Sequence, residues 1–197
     1  MLKSNITRLT LLSAISVLLS GCFVSVKPLV TGDKIVYPLI AGSYAYYTSG
    51  SSEAEYVADI EIRSNGYFSS HTDFDHDGAV MRDMGNGLYI VQEPETAGEN
   101  VQYGLIKVTG GTAEVWEPSC SDLSKADRVD LNISEEGDGD CAFTSYPQLR
   151  EALLIYYDKS KGSPTGKFVR QSPDQNTNST TTTKQKQKNN DGRGGGN

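Results

Sequence analysis

The acidic segment 71–78 carries the side chains best suited to bind an ion. It places carboxylates at alternate positions, Asp73, Asp75 and Asp77, and ends on Gly78. Carboxylates at this spacing can bring several oxygen atoms around one cation, and the glycine permits the sharp turn that such a loop needs. The segment therefore predicts a calcium site with these three aspartates as ligands.

Residues 73–78 resemble D-x-D-x-D-G, the opening of an EF-hand calcium loop, but the resemblance then ends. Counted from Asp73, the twelfth position is Met84, where that class of loop has a bidentate acid. The flanks also alternate like strands rather than helices. A site completed by distant acids and a plain acidic hairpin loop both fit the sequence. His71 and His76 could instead join Asp73 or Asp75 on a transition metal, although this spacing alone fixes no ligand geometry.

The first 22 residues have the features of an export signal. Lys3 and Arg8 precede a short apolar run, residues 9–19, and small residues follow it. This order is typical of a secretory signal, and the run is too short to cross about 30 Å of hydrocarbon as a helix. Its end, Leu19-Ser20-Gly21-Cys22, resembles the lipobox of bacterial lipoproteins.

The lipobox resemblance implies that residues 1–21 are a signal peptide and that Cys22 becomes a lipidated N-terminus. Several acyl chains, such as palmitate, on one residue satisfy the two-signal requirement for stable membrane anchoring. Phe23 follows the cysteine, where an aspartate would resemble the inner-membrane retention signal of enteric bacteria. We therefore expect a cell-envelope protein on the outer membrane, facing the periplasm, with an envelope protein or the cell wall as a partner.

With Cys22 assigned to lipid, Cys120 and Cys141 remain as an even pair. Such a pair in an oxidising compartment predicts a disulfide bond. On the chain-entropy model, closing a loop of about 20 residues stabilises the fold by about 3 kcal/mol. A thiol nucleophile or a metal pair is the alternative, but both histidines of the chain lie far upstream.

The charge of the chain limits its partners. Loss of the signal peptide, which carries two basic and no acidic residues, lowers the net charge from −7 to −9. A strongly acidic body does not attract nucleic acid, and anionic lipid head groups repel it. Solvation, metal cations and basic partners all suit this balance.

Residues 42–170 have the pattern of a mostly β domain. In the stretch 55–63, apolar side chains alternate with charged ones, which is typical of a strand with one buried and one solvated face. Many of the 11 tyrosines lie on such stretches. They fit either cross-strand packing or the aromatic lining of a ligand cavity.

Three dipeptides predict tight hairpin turns. They are Asn65-Gly66, Asn86-Gly87 and Gly110-Gly111. With further strands at 43–48 and 129–133, they describe an antiparallel meander of about eight strands. A sheet of that size can hide its edges by closing as a small barrel or by folding as a sandwich.

One C-terminal helix is predicted directly after Cys141. Its apolar stripe has helical spacing and consists of Leu149, Ala152, Leu153, Tyr156 and Tyr157. Residues 22–41, before the domain, are expected to be a tether that is apolar enough to pack partly on it. Residues 171–197 are rich in Asn, Thr, Gln and Lys, and we expect a disordered low-complexity tail.

From the sequence we favour a membrane-anchored envelope lipoprotein that acts as a non-enzymatic binding or structural module. The chain has two histidines and no G-x-S-x-G pattern, so it offers no recognisable nucleophilic constellation. Two alternatives remain. One is a small-ligand carrier with a β-barrel cavity, and the other is an envelope hydrolase that uses carboxylates.

Overall fold

A computed structural model describes residues 22–74, 76–94, 100–136 and 139–172. The predicted signal peptide at 1–21 and residues 173–197 of the predicted tail lie outside these described residues. Within the described ranges, no helix is both long enough and apolar enough to cross a membrane.

The described residues form a mostly β fold with eleven strands and two α-helices. The strands are β1 (Phe23–Ser25), β2 (Gly42–Thr48), β3 (Tyr56–Arg63), β4 (Gly66–Ser69), β5 (Val80–Gly85), β6 (Leu88–Gln92), β7 (Val101–Thr109), β8 (Thr112–Trp116), β9 (Ser134–Glu136), β10 (Asp140–Ala142) and β11 (Gly166–Arg170). The α-helices are α1 (Lys125–Asp130) and α2 (Tyr146–Ser160), and short 3-10 helices lie at Gly32–Lys34 and Cys120–Asp122.

The three predicted hairpins are present as β3–β4, β5–β6 and β7–β8. At the second turn, Asn86 and Gly87 have φ values of 58° and 73°, the positive pair that a type I′ turn requires. At the first turn, the pairing of Arg63 with Gly66 puts Ser64 and Asn65 in the loop, one residue earlier than predicted.

Gly66 is needed for a close approach of two backbones. Its φ is 145°, and a Cβ atom there would lie 2.5 Å from the carbonyl oxygen of Gly78. The neighbouring strand residue, Tyr67, forms a bridge with Ala79. The glycine therefore lets the chain after β4 return close to its own hairpin.

Eight strands follow one antiparallel path in the order β5-β6-β7-β8-β11-β2-β3-β4. The ends of this path meet only through a single bridge, which joins Tyr67 of β4 to Ala79, the residue before β5. One bridge is not a ladder, so the described sheet is open, and the predicted closure as a barrel is not what these strands form.

The remaining three strands extend the sheet beside β7. β1 pairs antiparallel with β7 and parallel with β10, and β10 pairs antiparallel with β9. The sheet is therefore mixed rather than purely antiparallel. Each of these strands has three residues, which is too short for a period of two to be recognised in the sequence.

Helix α1 replaces the strand predicted at 129–133. The side chain of Ser124 accepts a hydrogen bond from the backbone N–H of Asp127, at 3.1 Å, and the carboxylate of Asp127 accepts one from the N–H of Ser124, at 2.9 Å. This capping box starts a helix. Val129 is consequently 68% exposed rather than buried in a sheet.

Each face of the sheet has its own core. Along β7, Leu105 belongs to an outer core under α2, and its neighbour Ile106 belongs to an inner core on the concave face, as alternation along a strand requires. Helix α2 buries Leu149, Ala152, Leu153 and Tyr156 of its predicted stripe.

The segment predicted as a tether contributes to these cores. Phe23 and Val24 of β1 are 0% and 2% exposed. The buried carboxamide of Gln92 accepts hydrogen bonds from the backbone N–H groups of Leu29 and Val30, at 2.9 and 2.8 Å. Residues 22–30 are thus joined to the sheet by pairing, burial and hydrogen bonds.

The predicted disulfide between Cys120 and Cys141 is confirmed, with their Cα atoms 5.0 Å apart. It links β10 to the 3-10 helix that follows β8. The backbone N–H of Cys141 also donates to the carbonyl of Cys22, at 2.9 Å. The disulfide and the first described residue therefore lie together at one place in the fold.

Candidate ligand-binding site

The inner core surrounds a small apolar cavity of about 60 Å³. We call it the inner cavity. Its lining includes Leu39, Ile60, Phe74, Met81, Ile106 and Phe168. The strands β3, β5, β7 and β11 supply four of these side chains, so the curvature of the sheet creates the space. Tyr67 fixes one side, because its hydroxyl accepts a 2.9 Å hydrogen bond from the N–H of Leu39.

The inner cavity adjoins a wider depression of about 300 Å³, which we call the acidic mouth. The mouth is lined by Tyr46, Glu55, Tyr56, Asp73, His76 and Glu117. His76 and Glu117 line the inner cavity as well. The apolar space and the polar depression are therefore two parts of one site.

Aromatic rings form one wall of the acidic mouth. The ring of Tyr56 stacks between those of Tyr46 and His71, with centroid separations of 5.2 and 5.0 Å. Phe168 packs against Tyr46 at 4.9 Å and also lines the inner cavity. The aromatic surface is therefore continuous from the mouth into the apolar space.

A hydrogen-bonded pair lies where the two parts meet. His76 Nδ1 is 2.8 Å from Glu93 Oε1, and the two side chains are 24% and 32% exposed. Glu93 lines the inner cavity. This pair therefore places a hydrogen-bonded polar group at the junction between the apolar cavity and the polar mouth.

Apart from His76, the ionisable side chains of the polar lining are acidic. The cavity and mouth have four carboxylates, Glu55, Asp73, Glu93 and Glu117, and no lysine or arginine among the described residues. Three of the four adjoin strand ends: Glu55 precedes β3, and Glu93 and Glu117 follow β6 and β8. Antiparallel pairing brings such ends to the same rim of the sheet.

The described residues do not bring the three aspartates predicted to bind calcium together around one point. Asp73 lines the acidic mouth, whereas Asp77 accepts a 2.8 Å hydrogen bond from the backbone N–H of Ser69. Asp75 lies outside the described residues. Among those that are described, no group of three or more His, Cys, Asp or Glu side chains is arranged to hold a metal ion. The calcium site stays a prediction.

Cys22 lies close to the entrance of this site. Its backbone N–H donates to Asp140 Oδ1 at 2.7 Å, and its side chain is half-buried. Burial raises the pKa of the thiol, and the carboxylates of Asp140, Glu93 and Glu117 raise it further. Two of those carboxylates line the inner cavity. A raised pKa keeps the thiol protonated, which is the opposite of an activated nucleophile.

Comparison with known proteins found no matching family model, no similar curated protein and no similar solved structure. A functional proposal must therefore depend on the residues of this chain and on their geometry.

Sequence reasoning missed most of the acidic mouth. Glu55, Glu93 and Glu117 are far apart in the sequence and match no motif. The usable signal was their position, because each adjoins an alternating stretch that becomes a strand. Grouping them required the strand order, which places β3, β6 and β8 around one concave face.

Proposed function

We propose that the protein is a lipid-anchored ligand-binding module of the bacterial cell envelope, held on the outer membrane through Cys22 and facing the periplasm. The observation that carries the binding role is the apolar inner cavity opening into a polar mouth. Binding sites for small molecules are typically concave and apolar, with a few convergent polar groups that fix orientation. The site described above has this composition.

The lipobox sequence and the position of Cys22 support the anchor. The side chain of Cys22 is half-buried, and its backbone N–H is bonded to Asp140. Acylation of the amino group would leave an amide N–H, so the hydrogen bond to Asp140 is compatible with the modification. An anchored binding module therefore needs no rearrangement of the first strand.

The size of the site favours a small ligand over a long lipid. Ligand pockets typically measure about 300–1,000 Å³, and the mouth reaches only the lower end of that range at about 300 Å³. The inner cavity adds about 60 Å³. These volumes suit a small molecule with a short apolar group, which disfavours the carrier of a large apolar molecule.

Metabolic labelling with an alkyne analogue of palmitate tests the anchor. We expect the full chain to incorporate the label and to fractionate with membranes, and the Cys22→Ser variant to lose both properties. The matched control is Ser25→Ala, which changes a residue of β1 and keeps Cys22. Label retained by Cys22→Ser would contradict the anchor.

Native mass spectrometry tests the binding role. Protein purified from the membrane should carry a small-molecule adduct, and Ala79→Leu should abolish it, because Ala79 lines the inner cavity. Ala54→Leu is the matched control, since Ala54 is exposed. Adducts of equal occupancy in both variants would show that the ligand binds outside the cavity.

A further inference from the structure

We propose that the acidic mouth binds an alkylammonium group and that the inner cavity takes its apolar tail. This inference deepens the proposed binding function, because it assigns the chemical class of the ligand. The site is a cavity with two chemically different ends, and each end constrains a different part of the molecule it can hold.

Charge selects the head of the ligand. Glu55, Asp73 and Glu117 line the acidic mouth, and no lysine or arginine is present among its described lining residues. A cation brought there gains attraction from several carboxylates at once, whereas an anion meets only repulsion. The Nδ1 atom of His76 already faces Glu93, at 2.8 Å, and this contact lies at the inner edge of the mouth.

The aromatic wall favours an organic cation over a metal ion. Tyr46 and Tyr56 line the mouth and stack with their rings 5.2 Å apart. Tyr46 and His71 cover the two faces of the Tyr56 ring, so this wall presents ring edges and apolar surface that pack against the alkyl part of an organic cation. Among the described residues, no three His, Cys, Asp or Glu side chains are arranged to hold a metal ion. An alkylammonium ion uses both the carboxylates and this apolar surface.

The volume of the inner cavity sets the length of the tail. One water-sized sphere needs about 10–15 Å³ of such space, so about 60 Å³ accommodates roughly four groups of that size. The lining is apolar, with Phe168 and Ile106 among its residues. A chain of about four methylenes therefore fits, as found in a free alkylamine or in the side chain of a lysine from another protein.

The experiment titrates the full chain in mild detergent with n-butylammonium, n-butanol and butyrate. Isothermal titration calorimetry measures each affinity, because the indole of the chain's one tryptophan, Trp116, lies on the opposite face of the sheet, against Tyr157 of α2. We expect n-butylammonium to bind, n-butanol to bind at least about tenfold more weakly, and butyrate not to bind. Each methylene from ethyl- to n-butylammonium should strengthen binding about fourfold.

Two variants test the head-group contacts. Glu117→Gln should weaken binding of n-butylammonium about fivefold and leave n-butanol unaffected. Glu55→Gln is a second such variant in case the first one unfolds. Glu151→Gln is the matched control, because Glu151 is exposed on α2, and it should change neither titration.

The outcomes separate this inference from the proposed function. Equal binding of n-butanol and n-butylammonium would overturn the charge selection while the cavity remained a binding site. A mass-spectrometry adduct without binding of any of the three probes would also overturn the inference and leave the proposed function standing. Nα-acetyl-lysine methylamide keeps a free side-chain ammonium group. If it binds at least tenfold more tightly than n-butylammonium, the result would support the inference and would indicate a protein side chain as the source of the ammonium group.

Discussion

The carboxylate of Asp140 accepts a 2.7 Å hydrogen bond from the backbone N–H of Cys22. Asp140 begins β10, and the next residue, Cys141, is in the disulfide and donates its own N–H to the carbonyl of Cys22. The residue predicted to carry lipid is therefore bonded on both sides of its backbone to the same short strand.

Loss of the Asp140 carboxylate should weaken this attachment. We expect Asp140→Ala to lower the free energy of unfolding by about 1.5 kcal/mol, because a charged acceptor bonded to a partly buried N–H is lost. Urea denaturation followed by circular dichroism measures the change. Asp140→Asn keeps an acceptor oxygen, so its free energy of unfolding should fall by less than that of Asp140→Ala. Equal stability of the alanine variant and the parent chain would contradict the prediction.

The disulfide should stabilise this part of the fold more than the hydrogen bond to Asp140 does. We expect replacement of both Cys120 and Cys141 by alanine to lower the free energy of unfolding by about 3 kcal/mol, because the unfolded chain regains the freedom of the loop. Denaturation with and without reductant measures it. In reductant, the free energy of unfolding of the parent chain should fall to that of the double variant. The double variant should have the same free energy of unfolding with and without reductant. A response of the double variant would point to another redox-sensitive group.

Gly66 should not tolerate a side chain. A Cβ atom there would lie 2.5 Å from the carbonyl oxygen of Gly78, at a backbone φ of 145°. We expect Gly66→Ala to lower the free energy of unfolding by about 2 to 3 kcal/mol through the clash and the strain. Gly162→Ala is the control, since nothing lies within 4 Å of its added Cβ. Similar denaturation midpoints for both variants would refute the close approach.

The capping box of α1 predicts a pH dependence. Hydrogen bonding to Ser124, followed by the Lys159 ammonium at 2.9 Å, lowers the pKa of Asp127 from 3.8 to about 2. A depressed folded-state pKa stabilises the fold above the unfolded value, and that contribution is lost as the pH falls from about 4 towards 2.

A titration of Asp127 followed by NMR should therefore have a midpoint near pH 2. Denaturation midpoints of the parent chain and of Asp127→Asn should differ at pH 6 and converge at pH 2. Asp130→Asn, on the same helix, is the control and should behave like the parent chain at both values. A midpoint for Asp127 near 3.8 would show that the capping box does not stabilise the ionised carboxylate.

Local chemistry made part of the fold predictable. Asn86-Gly87 has the conformational freedom that a tight turn needs, and α2 shows its apolar stripe at helical spacing. The partnership of Cys120 and Cys141 followed from counting cysteines. These signals lie in neighbouring residues, or in a residue type with few possible partners, so the sequence displays them directly.

The rest depended on long-range packing. β1, with Phe23 buried at its start, is a strand only because β7 and β10 lie beside it. The apolar and β-branched residues at 129–133 favoured a strand, but the capping box at Ser124 starts a helix that takes in Val129. The acidic mouth needs Glu55, Glu93 and Glu117 on one rim, and no local pattern encodes that arrangement.

The burial of Phe23 immediately after Cys22 means that no flexible linker would separate the proposed lipid anchor from the folded domain. A lipoprotein on a long linker can sweep a volume many times its own size above the bilayer. Here the first residue after the lipidated cysteine would already belong to the core. The domain would therefore reach no further from the membrane than about its own diameter. Such a protein would sample only the layer of solvent next to its own membrane, and its ligand would have to be supplied there.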